Sequence, residues 1–96
     1  MTQALQDLNG LQERIRLAPG RLIGSRIRQA RRSAELSHDK LAAQVGTSRS
    51  HLIKLEKAWH RPGAVLLASI AEATGKPVEY FLVEEAGEPN PFPEAS

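Results

Sequence analysis

The feature that most constrains this chain is a run of twenty residues, 38–57, with apolar, small and glycine residues at fixed spacings. Two closely crossing short helices need a small residue at the fifth position, Ala42, and a residue tolerant of positive φ at the ninth, Gly46. Apolar residues must hold the helices together at the fourth, eighth, fifteenth and eighteenth positions, which are Leu41, Val45, Leu52 and Leu55. The run therefore predicts two short, packed helices joined by a tight turn.

The residues around this run predict further helices, and no stretch alternates in the way a strand requires. Capping residues and glycines mark where the helices begin and end. The first predicted helix is Leu22–Ala34, and the second is capped by Ser37 and ends before Gly46. The third is capped by Thr47 or Ser48 and runs through Lys57. The fourth is Ala64–Thr74, with Gly75 after it, and a short fifth helix starts at Pro77. Residues 22–83 are therefore expected to form a compact all-α domain of five short helices.

Two segments flank this domain. In residues 1–21, an apolar stripe at helical spacing predicts an amphipathic helix over Thr2–Leu17, placed outside the main domain; Gly10 weakens it by about 1 kcal/mol. The stripe consists of Ala4, Leu8, Leu11 and Ile15. It pairs with another chain, packs on its own domain, or belongs to a helix that frays. Residues 84–96 are acidic and rich in proline, so a disordered tail is expected there.

Charge is distributed unevenly along the chain. Residues 14–61 hold twelve Arg or Lys against three acidic residues, a net charge of +9, whereas both flanks are acidic. A basic middle segment favours a polyanion-binding surface, and the alternative is a solvated helix face. No stretch approaches the roughly 20 apolar residues that span a bilayer, and no apolar signal segment is seen, so no membrane partner and a cytoplasmic location are expected.

The sequence offers no support for catalysis or for a cofactor. Cysteine is absent, which excludes a disulfide scaffold, a cysteine zinc site and a thiol nucleophile. There is no glycine-rich phosphate loop, and the histidines and carboxylates do not cluster with metal-ligand spacing. We therefore expect neither an enzyme nor a metal-binding protein.

Residues 22–83, with the LAAQVGTS core and the IKLEK run, resemble the Cro and phage-repressor type of helix-turn-helix protein, the XRE family. The resemblance implies that residues 48–57 form a recognition helix in the major groove of double-stranded DNA. It implies base contacts by Ser48, Arg49, Ser50 and Lys54, and backbone contacts by His38, Thr47, Lys57, His60, Arg61 and Arg26. His38 stands where the family usually has glutamine, and Ala58 where it usually has glycine. Trp59 either packs over the helix end, the favoured interpretation, or lies on the DNA backbone.

The resemblance also implies a partly buried ion pair between Arg31 and Glu56, which holds the first and third domain helices in register. It implies a homodimer on a palindromic operator, with Val78, Tyr80, Phe81 and Leu82 as the candidate dimer surface. The expected function is sequence-specific transcription regulation, with repression favoured, and a DNA-binding regulator is expected to be nucleoid-associated. The alternative is an antitoxin or restriction-system controller, whose flanking segments bind a protein partner such as a toxin.

Overall fold

The computed structural model describes residues 2–84, with side chains from residue 8 onward. Within residues 2–84 the chain forms six helices and no strand, which confirms the all-α prediction. The helices are α1 (Thr2–Leu17), α2 (Gly20–Ser33), α3 (His38–Val45), α4 (Arg49–Glu56), α5 (Ala64–Thr74) and α6 (Glu79–Leu82). Helix α2 begins before the predicted Leu22, and α6 begins after the predicted Pro77. The tail predicted to be disordered lies, from residue 85, outside the described residues.

The predicted caps set the boundaries of α3 and α4. The Ser37 hydroxyl accepts a hydrogen bond from the Lys40 amide at 3.1 Å, and the Ser48 hydroxyl accepts one from the His51 amide at 3.0 Å. Of the two candidate caps for α4, Ser48 is therefore the one used. Gly46 has a φ of +76° and ends α3, as the turn between the two helices requires.

The core lies where α2, α3, α4 and α5 meet, and α6 closes it from the side of α2. Each helix contributes apolar residues at helical spacing, so their burial follows from the sequence pattern. The most completely buried side chains are Ile15, Ile23, Ile27, Leu41, Leu52, Leu55, Leu67, Ile70 and Phe81.

Helix α1 belongs to this core, which corrects the prediction that it lies outside the main domain. It packs on α5, with Leu11 and Ile15 buried in the same cluster and Leu8 packed against it. The Gln12 side chain accepts a hydrogen bond from the Ala64 amide at 3.0 Å, and so caps the start of α5. The apolar stripe thus packs on its own domain from Leu8 onward, and the side chain of Ala4 lies outside the described part of the chain.

Helix α6 is also packed inward, which corrects its assignment as a dimer surface. Tyr80, Phe81 and Leu82 are buried, and Val78 is partly buried against them. The cause is packing on α2, where the Tyr80 hydroxyl donates a hydrogen bond to the Gln29 side chain at 3.0 Å. Tyr80, Phe81 and Leu82 fill the core of their own chain and are not exposed to a second copy.

Helices α2 and α4 approach each other closely at Gly24. A Cβ at this position would lie 2.8 Å from the backbone oxygens of both Leu55 and Glu56, closer than real contacts allow. Because backbone atoms cannot move aside as a flexible side chain can, only glycine fits here. Gly24 thus sets the distance between α2 and the end of α4.

We expect Gly24→Ala to lower the free energy of unfolding by about 1–3 kcal/mol, because the added methyl group forces α2 and α4 apart. Gly10→Ala is the matched control, since a Cβ at Gly10 meets nothing within 4 Å. That control should instead raise stability by about 0.5–1 kcal/mol, the helix cost of glycine. Urea unfolding followed by circular dichroism measures both. Equal effects of the two substitutions would contradict the close approach.

No helix in residues 2–84 combines the length and apolar character needed to cross a membrane. Among the same described residues, no group of three or more histidine or acidic side chains could hold a metal ion.

Candidate nucleic-acid interface

The outward side of α4 carries polar and basic residues. Arg49, Ser50 and Lys54 are exposed, whereas Ile53 between them is half-buried. Ser50, Ile53 and Lys54 follow Arg49 by one, four and five residues, which places all four side chains on one side of the helix. We call these residues the outer face of α4. Leu52 and Leu55, on the opposite side, are buried in the core and fix its orientation.

The turn that precedes α4 is held by its own hydrogen bonds. The Thr47 amide donates to the Ala42 carbonyl at 2.9 Å, and Thr47 is half-buried. The Ser48 hydroxyl accepts from the His51 amide, so its lone pairs are partly used by the cap, although the side chain remains exposed. The structure therefore brings Ser48 next to Arg49 and Ser50, and Ser48 also has the predicted capping role.

A charged cluster fixes the end of α4 to α2 and α3. Arg31 Nε lies 2.6 Å from Glu56 Oε2, and Arg31 Nη2 lies 3.2 Å from Glu56 Oε1. Arg31 Nη1 also donates to the Leu36 carbonyl at 3.0 Å. The pair is nearly buried, with 12% of the Arg31 side chain and 7% of the Glu56 side chain exposed. The structure thus brings together the two residues of the expected ion pair.

His38 joins this cluster from the first turn of α3. Its Nε2 atom lies 3.0 Å from Glu56 Oε1, so the same carboxylate contacts side chains from two other helices. The His38 side chain keeps 26% of its surface exposed. A pocket of about 240 Å³ opens beside it, and Arg28, Ile53 and Lys57 complete the lining. This basic pocket is suited to an anion such as a DNA phosphate.

The loop after α4 carries a large exposed aromatic side chain. Ala58 adopts a φ of +65°, the left-handed conformation that favours glycine, and the chain turns away from the helix there. Trp59 is 65% exposed, so the interpretation that it packs over the helix end is wrong. Lys57 Nζ lies 4.8 Å from the centre of the Trp59 ring, which places a cation and an aromatic ring together beside α4.

His60 and Arg61, two further candidates for contact with the DNA backbone, point in different directions. His60 is exposed, and its ring centre lies 6.0 Å from that of His51, so it stays beside α4. Arg61 points elsewhere, because its Nη1 donates to the carbonyls of Ile15 at 2.7 Å and Ala18 at 2.5 Å, where α1 ends. Its guanidinium satisfies carbonyls that the helix end leaves without partners.

The structure corrects the assignment of Arg26 to the DNA backbone, because Arg26 is buried, with 7% of its surface exposed. Arg26 Nη1 donates to the Tyr80 carbonyl at 2.7 Å, and Nη2 donates to the Glu84 carbonyl. Its guanidinium carbon lies 4.7 Å from the centre of the Tyr80 ring. Arg26 therefore holds α6 against α2 and is not exposed to a DNA backbone.

One acidic residue that the sequence pattern does not reveal lies beside the outer face of α4. Asp39 Oδ1 lies 3.5 Å from Arg49 Nε, across the gap between α3 and α4. In the sequence, Asp39 stands out only as an acidic residue in the first turn of α3. A signal was present in the charge count, because Asp39 is one of three acidic residues in the basic segment 14–61, and Glu56 is already paired with Arg31.

Comparison with known proteins agrees with this geometry. The helix-turn-helix family profile matches residues 27–81, more than half of the chain, and the match covers α3, the turn and α4. The chain therefore belongs to the XRE-type helix-turn-helix family.

Several relatives carry names of the same kind. The chain is 35% identical over 68 residues to a transcriptional regulator in the ATPase CF(0) region of Rhodospirillum rubrum, covering 70% of this chain and 63% of the relative. It is 33% identical over 66 residues to an HTH-type transcriptional regulator of Sinorhizobium medicae, covering 69% of this chain and 48% of the relative. For one of Methanothermobacter thermautotrophicus the identity is 35%, covering 64% of this chain and 91% of the relative. The chain thus spans about half to two thirds of the first two relatives.

Proposed function

We propose that this protein binds double-stranded DNA sequence-specifically and regulates transcription, with α4 as the recognition helix in the major groove. The observation that carries the proposal is the outer face of α4, where Arg49, Ser50 and Lys54 are exposed while Leu52 and Leu55 anchor the helix. An α-helix fits the major groove, and side chains near its N-terminus reach base edges. The relatives named as transcriptional regulators support the same function.

The backbone contacts proposed for this complex surround α4. His38 and Thr47 lie on the side of α3, and Lys57 and His60 lie after α4, so phosphates on both sides of the groove have a partner. Trp59 and Arg28, both exposed, are added to this set because of their positions beside Lys57 and His38. Such contacts position the protein, whereas the outer face of α4 supplies specificity.

We further propose that the protein acts as a homodimer, in the cytoplasm, on a palindromic operator, and that it represses. One domain makes few phosphate contacts, so a second copy on a symmetric site strengthens binding. Two copies place their recognition helices about one helical turn of DNA apart, roughly 10–10.5 base pairs. Because Tyr80, Phe81 and Leu82 are buried, the contact between copies must use other residues.

The test is selection of binding sites from a random DNA pool by the purified protein, repeated with Arg49→Ala. We expect a palindromic consensus from the wild type, with one guanine preference in each half-site. Arg49→Ala should lose that preference, because a bidentate contact from arginine to guanine O6 and N7 gives about 1–3 kcal/mol of discrimination. The other consensus positions should remain.

Arg16→Ala is the matched control, because Arg16 is an exposed arginine on α1, the helix packed on α5. It removes the same charge and should leave the consensus unchanged. If the wild type enriches no sequence, sequence-specific regulation is refuted. If Arg49→Ala and Arg16→Ala give the same consensus, Arg49 is not a base-contacting residue.

The alternative, an antitoxin or restriction-system controller, depended on flanking segments free to bind a partner. Helix α1 is packed on α5 from Leu8 onward, so its apolar stripe is used within the domain. The acidic tail from residue 85 lies outside the described residues. No specific observation therefore favours this function over DNA-binding regulation.

A further inference from the structure

Two charged side chains face each other beside the outer face of α4. Asp39, in the first turn of α3, and Arg49, at the start of α4, are both mostly exposed, with 78% and 63% of their side chains accessible. The separation of 3.5 Å between Asp39 Oδ1 and Arg49 Nε is that of an ion pair. Exposed pairs of this kind add little to stability. The consequence of the contact therefore lies in where it directs the Arg49 side chain.

We propose that Asp39 is a specificity-determining positioning residue, which orients the Arg49 guanidinium toward a guanine in the major groove. This inference rests on the proposed function and deepens it. An arginine guanidinium carries five N–H donors in a rigid plane. The ion pair with Asp39 is made at Nε, so the end of the guanidinium formed by Nη1 and Nη2 is left for a base contact. Two parallel donors are what guanine O6 and N7 accept.

The Asp39 carboxylate also makes contacts between Arg49 and DNA phosphates less favourable. An unrestrained arginine at a DNA surface has phosphate oxygens as alternative partners, and these carry no sequence information. The negative charge of Asp39 is repelled by nearby phosphates, and it attracts the Arg49 guanidinium away from them. Asp39 therefore lowers the affinity for DNA of any sequence and raises the preference for guanine.

The rest of the basic segment supports this assignment. Residues 14–61 contain three acidic residues. Glu56 is nearly buried and paired with Arg31, and Glu35 is exposed in the turn between α2 and α3. Asp39 is the one of the three that forms an ion pair with a basic residue of the outer face of α4. Its charge acts where base contacts are made.

The test compares binding of the full chain to the selected operator, to operators with each other base pair at the Arg49 position, and to an unrelated duplex. Asp39→Asn keeps the side-chain shape and removes the charge. We expect its guanine preference to fall about two- to fivefold, the range that an exposed ion pair provides. Its affinity for the unrelated duplex should rise, because a repelling charge is gone. A purely structural role would not produce these opposite changes.

Two further variants isolate the cause. Glu35→Gln removes an equivalent exposed charge and should raise affinity for the unrelated duplex without changing the guanine preference. In an Arg49→Ala background, Asp39→Asn should have no further effect on discrimination at that base pair. Fluorescence anisotropy titrations at one salt concentration measure all of these affinities.

An unchanged guanine preference in Asp39→Asn overturns the inference while the proposed function stands, provided that the wild type still enriches a consensus. If Asp39→Asn still lowers the guanine preference in the Arg49→Ala background, the inference is also overturned, because Asp39 would then act without Arg49. A wild type that enriches no sequence overturns both the inference and the proposed function.

Discussion

Replacing Glu56 by alanine is expected to lower the free energy of unfolding by about 3–5 kcal/mol, because the change leaves a charged arginine buried without its partner. Glu56 accepts from Arg31 Nε and Nη2 and contacts His38 Nε2. After the substitution, the Leu36 carbonyl remains as the protein partner of the Arg31 guanidinium. Since small domains are stable by roughly 5–15 kcal/mol in total, a large share of stability is lost.

Glu72→Ala is the control, because Glu72 is an exposed glutamate within a helix, and its loss should change stability by less than about 0.5 kcal/mol. The double variant R31M/E56L should recover most of the stability, since apolar side chains can replace a buried ion pair at little cost. Urea unfolding of the four proteins measures these effects. A loss for Glu56→Ala no larger than for Glu72→Ala would show that the pair does not hold α4 in place.

The second large effect is expected at Ile15, where substitution by alanine should cost about 2–5 kcal/mol. Ile15 on α1 is 1% exposed and belongs to the common core. Removing its three outer carbon atoms opens a cavity between α1 and α5 that the surrounding side chains fill only in part. The loss should appear in a single cooperative transition, because α1 and the other helices share one core.

Leu17→Ala gives a stringent comparison, since Leu17 lies on the same helix and is 67% exposed. Its substitution should change stability by less than about 0.5 kcal/mol. Thermal and urea unfolding, followed by helical circular dichroism, distinguish the two variants. If Ile15→Ala is as stable as Leu17→Ala, α1 does not contribute to the folded domain.

The parts of the fold that could be predicted are those that local chemistry determines. Helical periodicity predicts that Leu41, Leu52 and Leu55 are buried, and the left-handed turn at Gly46 follows from a conformation that glycine adopts at no steric cost. Ser37 caps α3 through an amide three residues away. In each case the residues that determine the feature are close in sequence, so the pattern contains the information.

The parts that could not be predicted depend on residues far apart in the chain. Arg26 looks like any exposed arginine in sequence, yet its partner is the Tyr80 carbonyl, 54 residues later. The packing of α1 is likewise decided by α5, through Gln12 and the Ala64 amide, 52 residues away. Periodicity shows that a helix has an apolar face, but it does not show which element covers that face.

The candidate interface likewise has features that could be predicted from the sequence and one that could not. Resemblance to a family carries over the positions on α4, because the spacing of Arg49 and Lys54 relative to Gly46 is fixed by the turn. The contact from Asp39 to Arg49 is a property of this chain's own side chains, so a family pattern does not contain it.

The internal use of Arg26, Arg31 and Arg61 has a consequence for how binding responds to ionic strength. DNA releases roughly 0.9 counterions for each phosphate that a protein cation neutralises. These three guanidinium groups already have backbone or carboxylate partners within the protein, and Asp39 offsets part of the charge of Arg49. The number of ions released on binding is therefore set by the remaining exposed cations, and it is smaller than the charge of the basic segment suggests.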